Sequence, residues 1–313
     1  MAYLSFLFIC LVWGASFILM DRASHALGPM AIGVSRLLGG ALVLCVFWLF
    51  TRQRTKITPV EWGHIGVVAV LANALPFVIQ PYVMVQAEQH AYFGMMVALV
   101  PLATILASIP MLGIWPTRRQ LAGVLGGLVC MAAVVQDGFQ RGMSAGLLTL
   151  ALTVPVTYAV GNTYVKWKLD HLPALPLTTL FLGLGGVILL PLQFSPETLA
   201  QLRLDGPAAP YDWPLAMASI AFLSIVGTGI AILLFIQLIK KQGPLFAGMV
   251  TYVVPVLALA WGQYDHETLT PLQLAAIGGV LTMVAWVQWG AAASPEKSHE
   301  SPVPCREPRD GLA

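Results

Sequence analysis

Eight polar or amphipathic side chains stand inside long apolar runs of this sequence: Trp13, Asn73, Gln80, Tyr82, Tyr158, Asn162, Gln237 and Tyr252. The chemistry they offer is hydrogen bonding and aromatic contact rather than nucleophilic attack or metal ligation. Asn73 and Gln80 are seven residues apart, which is two helical turns, and Tyr158 and Asn162 are four apart. Each pair therefore shares a helix face. An amide turned to lipid is costly, so both pairs are expected to point inward. There they serve either as the walls of a solute cavity or as hydrogen bonds between helices. Catalytic constellations do not appear. His266-Glu267 lacks the second histidine of a His-Glu-x-x-His zinc site, and no Gly-x-Ser-Gly with a distant histidine is present.

Prolines within apolar runs add a second pointer. Proline removes a helix hydrogen bond and crowds the carbonyl one turn back, and in hydrocarbon such a distortion survives best beside protein, water or solute. Pro76 and Pro81 interrupt one run, Pro155 another, and Pro101 and Pro255 occupy matching places in two more. Arg36 is the one charged residue well inside a run. It lies near enough to an end to snorkel, and both a structural clamp to a carbonyl or to Glu88 and pairing with a solute carboxylate are open to it. His64, Glu88, His90, Asp137 and Glu267 sit near the ends of runs, where solvated charge is the default. That distribution favours facilitated diffusion or exchange over ion coupling, with protonation of an end-lying His or Glu as the other possibility. Cys10, Cys45 and Cys130 fall in apolar runs and Cys305 in the tail, so they read as small apolar residues, and no disulfide framework, metal or cofactor is expected.

These residues need a membrane scaffold. Of 313 residues 58% are hydrophobic and 10% charged, with mean hydropathy +0.80. So few charges cannot coat a water-soluble surface. Ten stretches are long and apolar enough to cross a bilayer: 3–21, 30–50, 63–85, 91–113, 119–136, 144–164, 174–194, 214–239, 244–263 and 271–290. The first competes with a secretory signal peptide, but it has no basic leader and continues apolar past Gly14-Ala15-Ser16. Residues 195–213 read as an extended surface loop with at most a short interfacial helix, and 291–313 as a disordered tail. With ten crossings, twelve Lys and Arg fall on the side of both termini and three on the other (Arg22, Arg141, Arg203). This bias predicts cytoplasmic termini.

The halves resemble each other. Residues 94–102, Gly-Met-Met-Val-Ala-Leu-Val-Pro-Leu, match 248–256, Gly-Met-Val-Thr-Tyr-Val-Val-Pro-Val, at an offset of 154, and 117–122 match 270–275 after a one-residue gap. The repeat unit is thus five helices, expected over 1–143 and 144–290. An odd number makes the units cross the membrane in opposite senses, as in many secondary transporters.

Trp13-Gly14, the Pro101 and Pro255 runs, Trp115-Pro116-Thr117-Arg118-Arg119-Gln120-Leu121-Ala122-Gly123, and His266-Glu267-Thr268-Leu269-Thr270-Pro271 together resemble the EamA-type members of the drug/metabolite transporter superfamily. The likeness covers about residues 3–290. Ile114 departs from it, since the family often carries Glu there; Glu267 keeps the second such position. The resemblance implies an all-α, ten-helix membrane fold around a cavity lined by helices 1, 3, 4, 6, 8 and 9. It also implies inner-membrane export of small metabolites, amino acids prominent among them, aromatic or apolar ones included. A membrane-embedded enzyme or a channel is the alternative. The candidate substrate-binding set is therefore Trp13, Asn73, Gln80, Tyr82, Met95, Pro101, Tyr158, Asn162, Gln237, Tyr252 and Pro255, with Arg36 and Glu267 structural. The expected partners are a small-molecule solute and membrane lipid, not nucleic acid, in a monomer or weak homodimer.

Overall fold

A computed structural model describes residues 2–51, 55–87, 90–140, 142–266 and 270–291. The described residues are all helix and turn, and nine of the helices are long and apolar enough to cross a membrane. We label the spans in chain order: α1 (Ala2–Ser24), α2 (Pro29–Thr51), α3 (Pro59–Ala87), α4 (90–112) and α5 (Arg118–Gln140). The second set is α6 (Ala145–Lys168), α7 (Ala174–Gln193), α8 (Trp213–Gln242), α9 (Pro244–Tyr264) and α10 (Pro271–Ala291). The fold is a ten-helix membrane fold. Glu88, Glu267 and the tail from 292 onward lie outside the described residues.

Several spans outrun their apolar stretches because polar caps extend them. At the start of α3, Thr58 accepts from the Glu61 backbone N–H at 3.3 Å while the Glu61 carboxylate accepts from Thr58 N at 2.6 Å, with Pro59 just inside. This reciprocal cap begins the helix four residues before the apolar run does. The 195–213 linker contains one short helix, Pro196–Leu202, whose Leu199 is buried. Beyond it, the Leu204 carbonyl accepts from Met30 N, and a Cβ on Gly28 would collide with the Asp205 backbone. The linker therefore roofs the α1–α2 turn.

The packing is reciprocal between halves. Helix α1 lies against α8 and α9, while its counterpart α6 lies against α3 and α4; α2 packs on α7, and α5 on α10 at the periphery. Two π turns, Ala69–Ala74 in α3 and Leu223–Ile230 in α8, begin 154 residues apart, the offset of the sequence repeat. Helix α4 has a 3₁₀ turn at Val97–Leu99, and α9 is interrupted at Met249. In α3 the cause is Pro76, whose ring crowds the carbonyl of Ala72; a wider turn just before it relieves that contact. The α8 turn contains no proline. There Ser224 bonds the carbonyls of Ile220 and, on α2, Ser35, at 2.7 and 3.0 Å.

Each π turn is backed by a glycine of a neighbouring helix. A Cβ on Gly40 of α2 would lie 3.0 Å from the Gly229 nitrogen, and one on Gly185 of α7 would lie 3.1 Å from the Ala69 carbonyl oxygen. At the periphery, Asp137 of α5 is buried rather than solvated. Its carboxylate accepts from Thr270 Oγ1 at 2.9 Å and Gln273 Nε2 at 2.7 Å, fastening α5 to the capped start of α10. Gly127 of α5 faces Leu102 of α4.

The matched glycines mark the α4–α9 crossing. A Cβ on Gly248 would lie 3.7 Å from the Pro101 ring, and one on Gly94 would stand 2.5 Å from the Cβ of Ala258. Gly94→Ala is therefore expected to cost about 1–3 kcal/mol, read as a lower unfolding midpoint in detergent. Gly63→Ala, where an added Cβ meets nothing within 4 Å, should leave the midpoint level or slightly raised. A Gly94→Ala midpoint equal to wild type would contradict this crossing.

Candidate functional site

At mid-depth the helices part around a cavity of about 790 Å³, counting space open to solvent. Its wall draws on α1, α2, α3, α4, α6, α7, α8 and α9. Relative to the set of lining helices expected from the family resemblance, α2 is added through Arg36 and α7 through Phe181.

The wall is amphipathic. Helices α2, α3 and α6 contribute Arg36, Asn73, Gln80, Tyr158 and Asn162, whereas α1, α8 and α9 contribute mostly apolar and aromatic surface, including Phe17, Phe235 and Val254. Several polar groups are already engaged. Trp13 donates its indole N–H to the Gly227 carbonyl at 3.0 Å, capping the α8 π turn, and its ring lies 4.9 Å from that of Phe235. Asn73, inside the α3 π turn, donates to the Val68 carbonyl at 3.1 Å. Ser16 and Thr251 bond carbonyls of their own helices at 2.9 and 2.7 Å. The Tyr158 hydroxyl is hydrogen-bonded with the Gln80 carboxamide and has the Arg36 guanidinium as a neighbour, and Asn162 lies one turn along the same helix.

Arg36 is 4% exposed. Its Nε donates to Thr228 Oγ1 at 3.3 Å and Nη1 to Met20 Sδ at 3.0 Å, while the guanidinium stacks 4.4 Å over Phe77. It ties α2 to α8, α1 and α3 at once, through a hydroxyl and a thioether where the sequence suggested a carbonyl or Glu88, the latter lying outside the described residues.

Of the residues singled out in the sequence, Trp13, Asn73, Gln80, Tyr158 and Asn162 share the cavity wall. The others lie elsewhere. Tyr82 borders a separate surface groove with Arg203. Met95 is core, and Tyr252 packs with Ala98 toward Cys130 and Leu281 of the peripheral pair. Gln237 is half-buried off the wall. Pro101 and Pro255 are buried next to the wall: the residues facing the cavity are Val100 and Val254, one position before each. Those prolines therefore shape the helices without presenting themselves. Sequence reasoning missed Phe77, Phe181 and Thr228. Apolar residues in apolar runs carry no mark of which face they take, but Thr228 sits in Gly227-Thr228-Gly229, at the repeat offset from Ala74.

Polar ties lie at both ends of the bundle. On one side Arg22 of α1 bonds Asp265 at the end of α9 and, at 2.9 Å, Asp21. On the side of the N terminus, Lys240 of α8 caps α6 through the Leu169 and Asp170 carbonyls at 2.7 and 2.8 Å, and His64 of α3 meets the Tyr164 hydroxyl at 2.7 Å.

A model of the EamA-like transporter family matches residues 1–136 and again 146–288. The chain belongs to that family. Among relatives of this EamA-like chain, the uncharacterized transporter YvbV of Bacillus subtilis is 24% identical, over 88% of this chain and 87% of its own. The uncharacterized inner membrane transporter YedA of Escherichia coli is also 24% identical, over 94% and 92%. An archaeal relative, an uncharacterized transporter of Archaeoglobus fulgidus, is 22% identical over 87% and 91%. A crystal structure aligns with TM-score 0.66 at 16% identity, covering 94% of this chain and 99% of the other, a likeness of fold. The protein is thus a multi-pass membrane transporter.

The Thr228 contact generates a test. Thr228→Val keeps the side-chain shape but leaves the buried Arg36 Nε–H without its acceptor. We expect a loss of about 1–3 kcal/mol, measured by thermal unfolding in detergent, with Thr228→Ser close to wild type.

Proposed function

We propose that this EamA-like protein exports small amphipathic metabolites, foremost amino acids with aromatic or other apolar side chains, by alternating access. The observation that carries the reading is the composition of the cavity lining, in which Arg36, Asn73, Gln80, Tyr158 and Asn162 of α2, α3 and α6 stand among mostly apolar and aromatic residues. A zwitterion with an apolar side chain calls for the same combination of polar and apolar contacts. The reciprocal packing of the halves, each with a π turn at the repeat offset, supports a mechanism in which two similar units exchange conformations around a fixed site. The excess of Lys and Arg on the side of the termini supports cytoplasmic termini. A bacterial relative named as an inner membrane transporter supports placement in the plasma membrane.

Solute counterflow in proteoliposomes tests this reading. Liposomes preloaded with an amino acid carried by the protein should transiently concentrate the labelled form of that amino acid, and empty liposomes should not. Gln80→Ala and Asn162→Ala should each slow uptake about three- to tenfold, the worth of one neutral hydrogen bond, while Gln237→Ala, off the wall, should match wild type. Flux without counterflow would identify a channel. Absence of flux across a broad amino-acid panel would remove the amino-acid reading.

A further inference from the structure

The cavity wall carries one formal charge. Among its lining residues Arg36 is the sole Lys, Arg, His, Asp or Glu. A guanidinium has five N–H donors. The described protein engages two of them, one with the Thr228 hydroxyl and one with the Met20 thioether, which is a weak acceptor. Phe77 covers one face of the guanidinium plane, which leaves the in-plane edges to point elsewhere. Ion pairs elsewhere in the described chain join Arg22 to Asp21 and Asp265, and Lys166 to Asp170, all near helix ends, and none reaches Arg36.

A guanidinium removed from water without a counter-ion is expensive, far more so than a paired one. A hydroxyl, a thioether and a ring face give partial compensation only. Tyr158 lies beside it and bonds Gln80, and Asn162, one turn along α6, lines the same cavity, so the wall offers further donors to an oxyanion.

We infer that the solute brings the missing anion: Arg36, with Tyr158 and Asn162, receives a carboxylate of the transported molecule, while its apolar body lies against Phe17, Phe181 and Phe235. This rests on the transporter reading above and narrows its substrate class. One positive charge balances one carboxylate, whereas a phosphate dianion would leave excess negative charge in a low-dielectric cavity. An ammonium group finds no carboxylate on this wall and meets the like charge of Arg36, so organic cations and polyamines are disfavoured. For an amino acid the carboxylate, not the amine, is the recognised group.

The experiment compares ligands that differ at one end only. For benzyl, isobutyl and methyl bodies, four compounds are offered to the full-length protein: the amino acid, the deaminated carboxylic acid, the amino-acid amide and the decarboxylated amine. Binding is read from the ligand-dependent shift of the unfolding midpoint in detergent, and transport from flux in proteoliposomes. The two carboxylates of at least one body should bind at least about tenfold more tightly than the amide and the amine. Arg36→Gln should weaken carboxylates about 10- to 100-fold without weakening the amide, Arg36→Lys should restore part of the preference, and Tyr158→Phe should weaken carboxylates about three- to tenfold. If an Arg36 variant elutes aggregated, the wild-type ligand series and Tyr158→Phe decide alone. Amides or amines binding as well as carboxylates would overturn the assignment and leave the transporter reading intact. Arg36-dependent carboxylate binding without flux would uphold the site and remove the transporter reading. No midpoint shift with any carboxylate of the three bodies would overturn the assignment as well.

Discussion

Hydrocarbon offers a polypeptide no hydrogen-bond partner, so each backbone amide and carbonyl in a span must be satisfied from within the protein. Most of this chain meets that demand with α-helix, and the rest of the architecture follows from where it does not. The π turns of α3 and α8 shift the regular pairing, and local side chains answer for it: Trp13 takes the Gly227 carbonyl and Asn73 the Val68 carbonyl. Both residues also line the cavity. The groups that mend the backbone are thus part of the surface a solute would meet.

Arg36 extends the same logic from dipoles to charge. It joins α2 to helices of both halves, yet its bonds go to a hydroxyl and a sulfur. The bundle is held at its ends by ordinary polar ties, among them Arg22 with Asp265 and Lys240 on the end of α6. At the periphery Asp137 locks α5 to α10, and neither of these two helices reaches the cavity. The ties at the ends and the periphery are therefore separate from the cavity, where Trp13, Asn73 and Arg36 combine structural bonds with a place on the wall.

Much of this was legible in the sequence, for identifiable reasons. Apolar length gave the ten spans, and an odd repeat unit with a constant offset gave the relation between the halves. Amide pairs at helical spacing put Asn73, Gln80, Tyr158 and Asn162 on inward faces, because lipid exposure of such groups is costly. The prolines misled in part. Pro101 and Pro255 lie in the α4–α9 region behind the wall, and the α8 π turn formed without any proline. Tyr252 satisfies the same rule against lipid exposure by packing between helices, an outcome that residue type alone does not separate from facing a cavity. Phe181 and Phe235 were silent because every neighbour in their runs is equally apolar.

The equal spacing of the two π turns also bears on how such a chain can change length. From the start of α3 to the end of α4, and from the start of α8 to the end of α9, the helix ends and irregular turns keep close to the 154-residue offset. An insertion there would slide a turn along its helix and carry Asn73 or Thr228 away from its present neighbours. Between α2 and α3 the linker is 52–58, but its counterpart between α7 and α8 runs 194–212 and folds a helix of its own, Pro196–Leu202. Growth of the chain has been absorbed at that surface joint, which marks it as the place where further insertions would be tolerated and the stretches on either side as places where they would not.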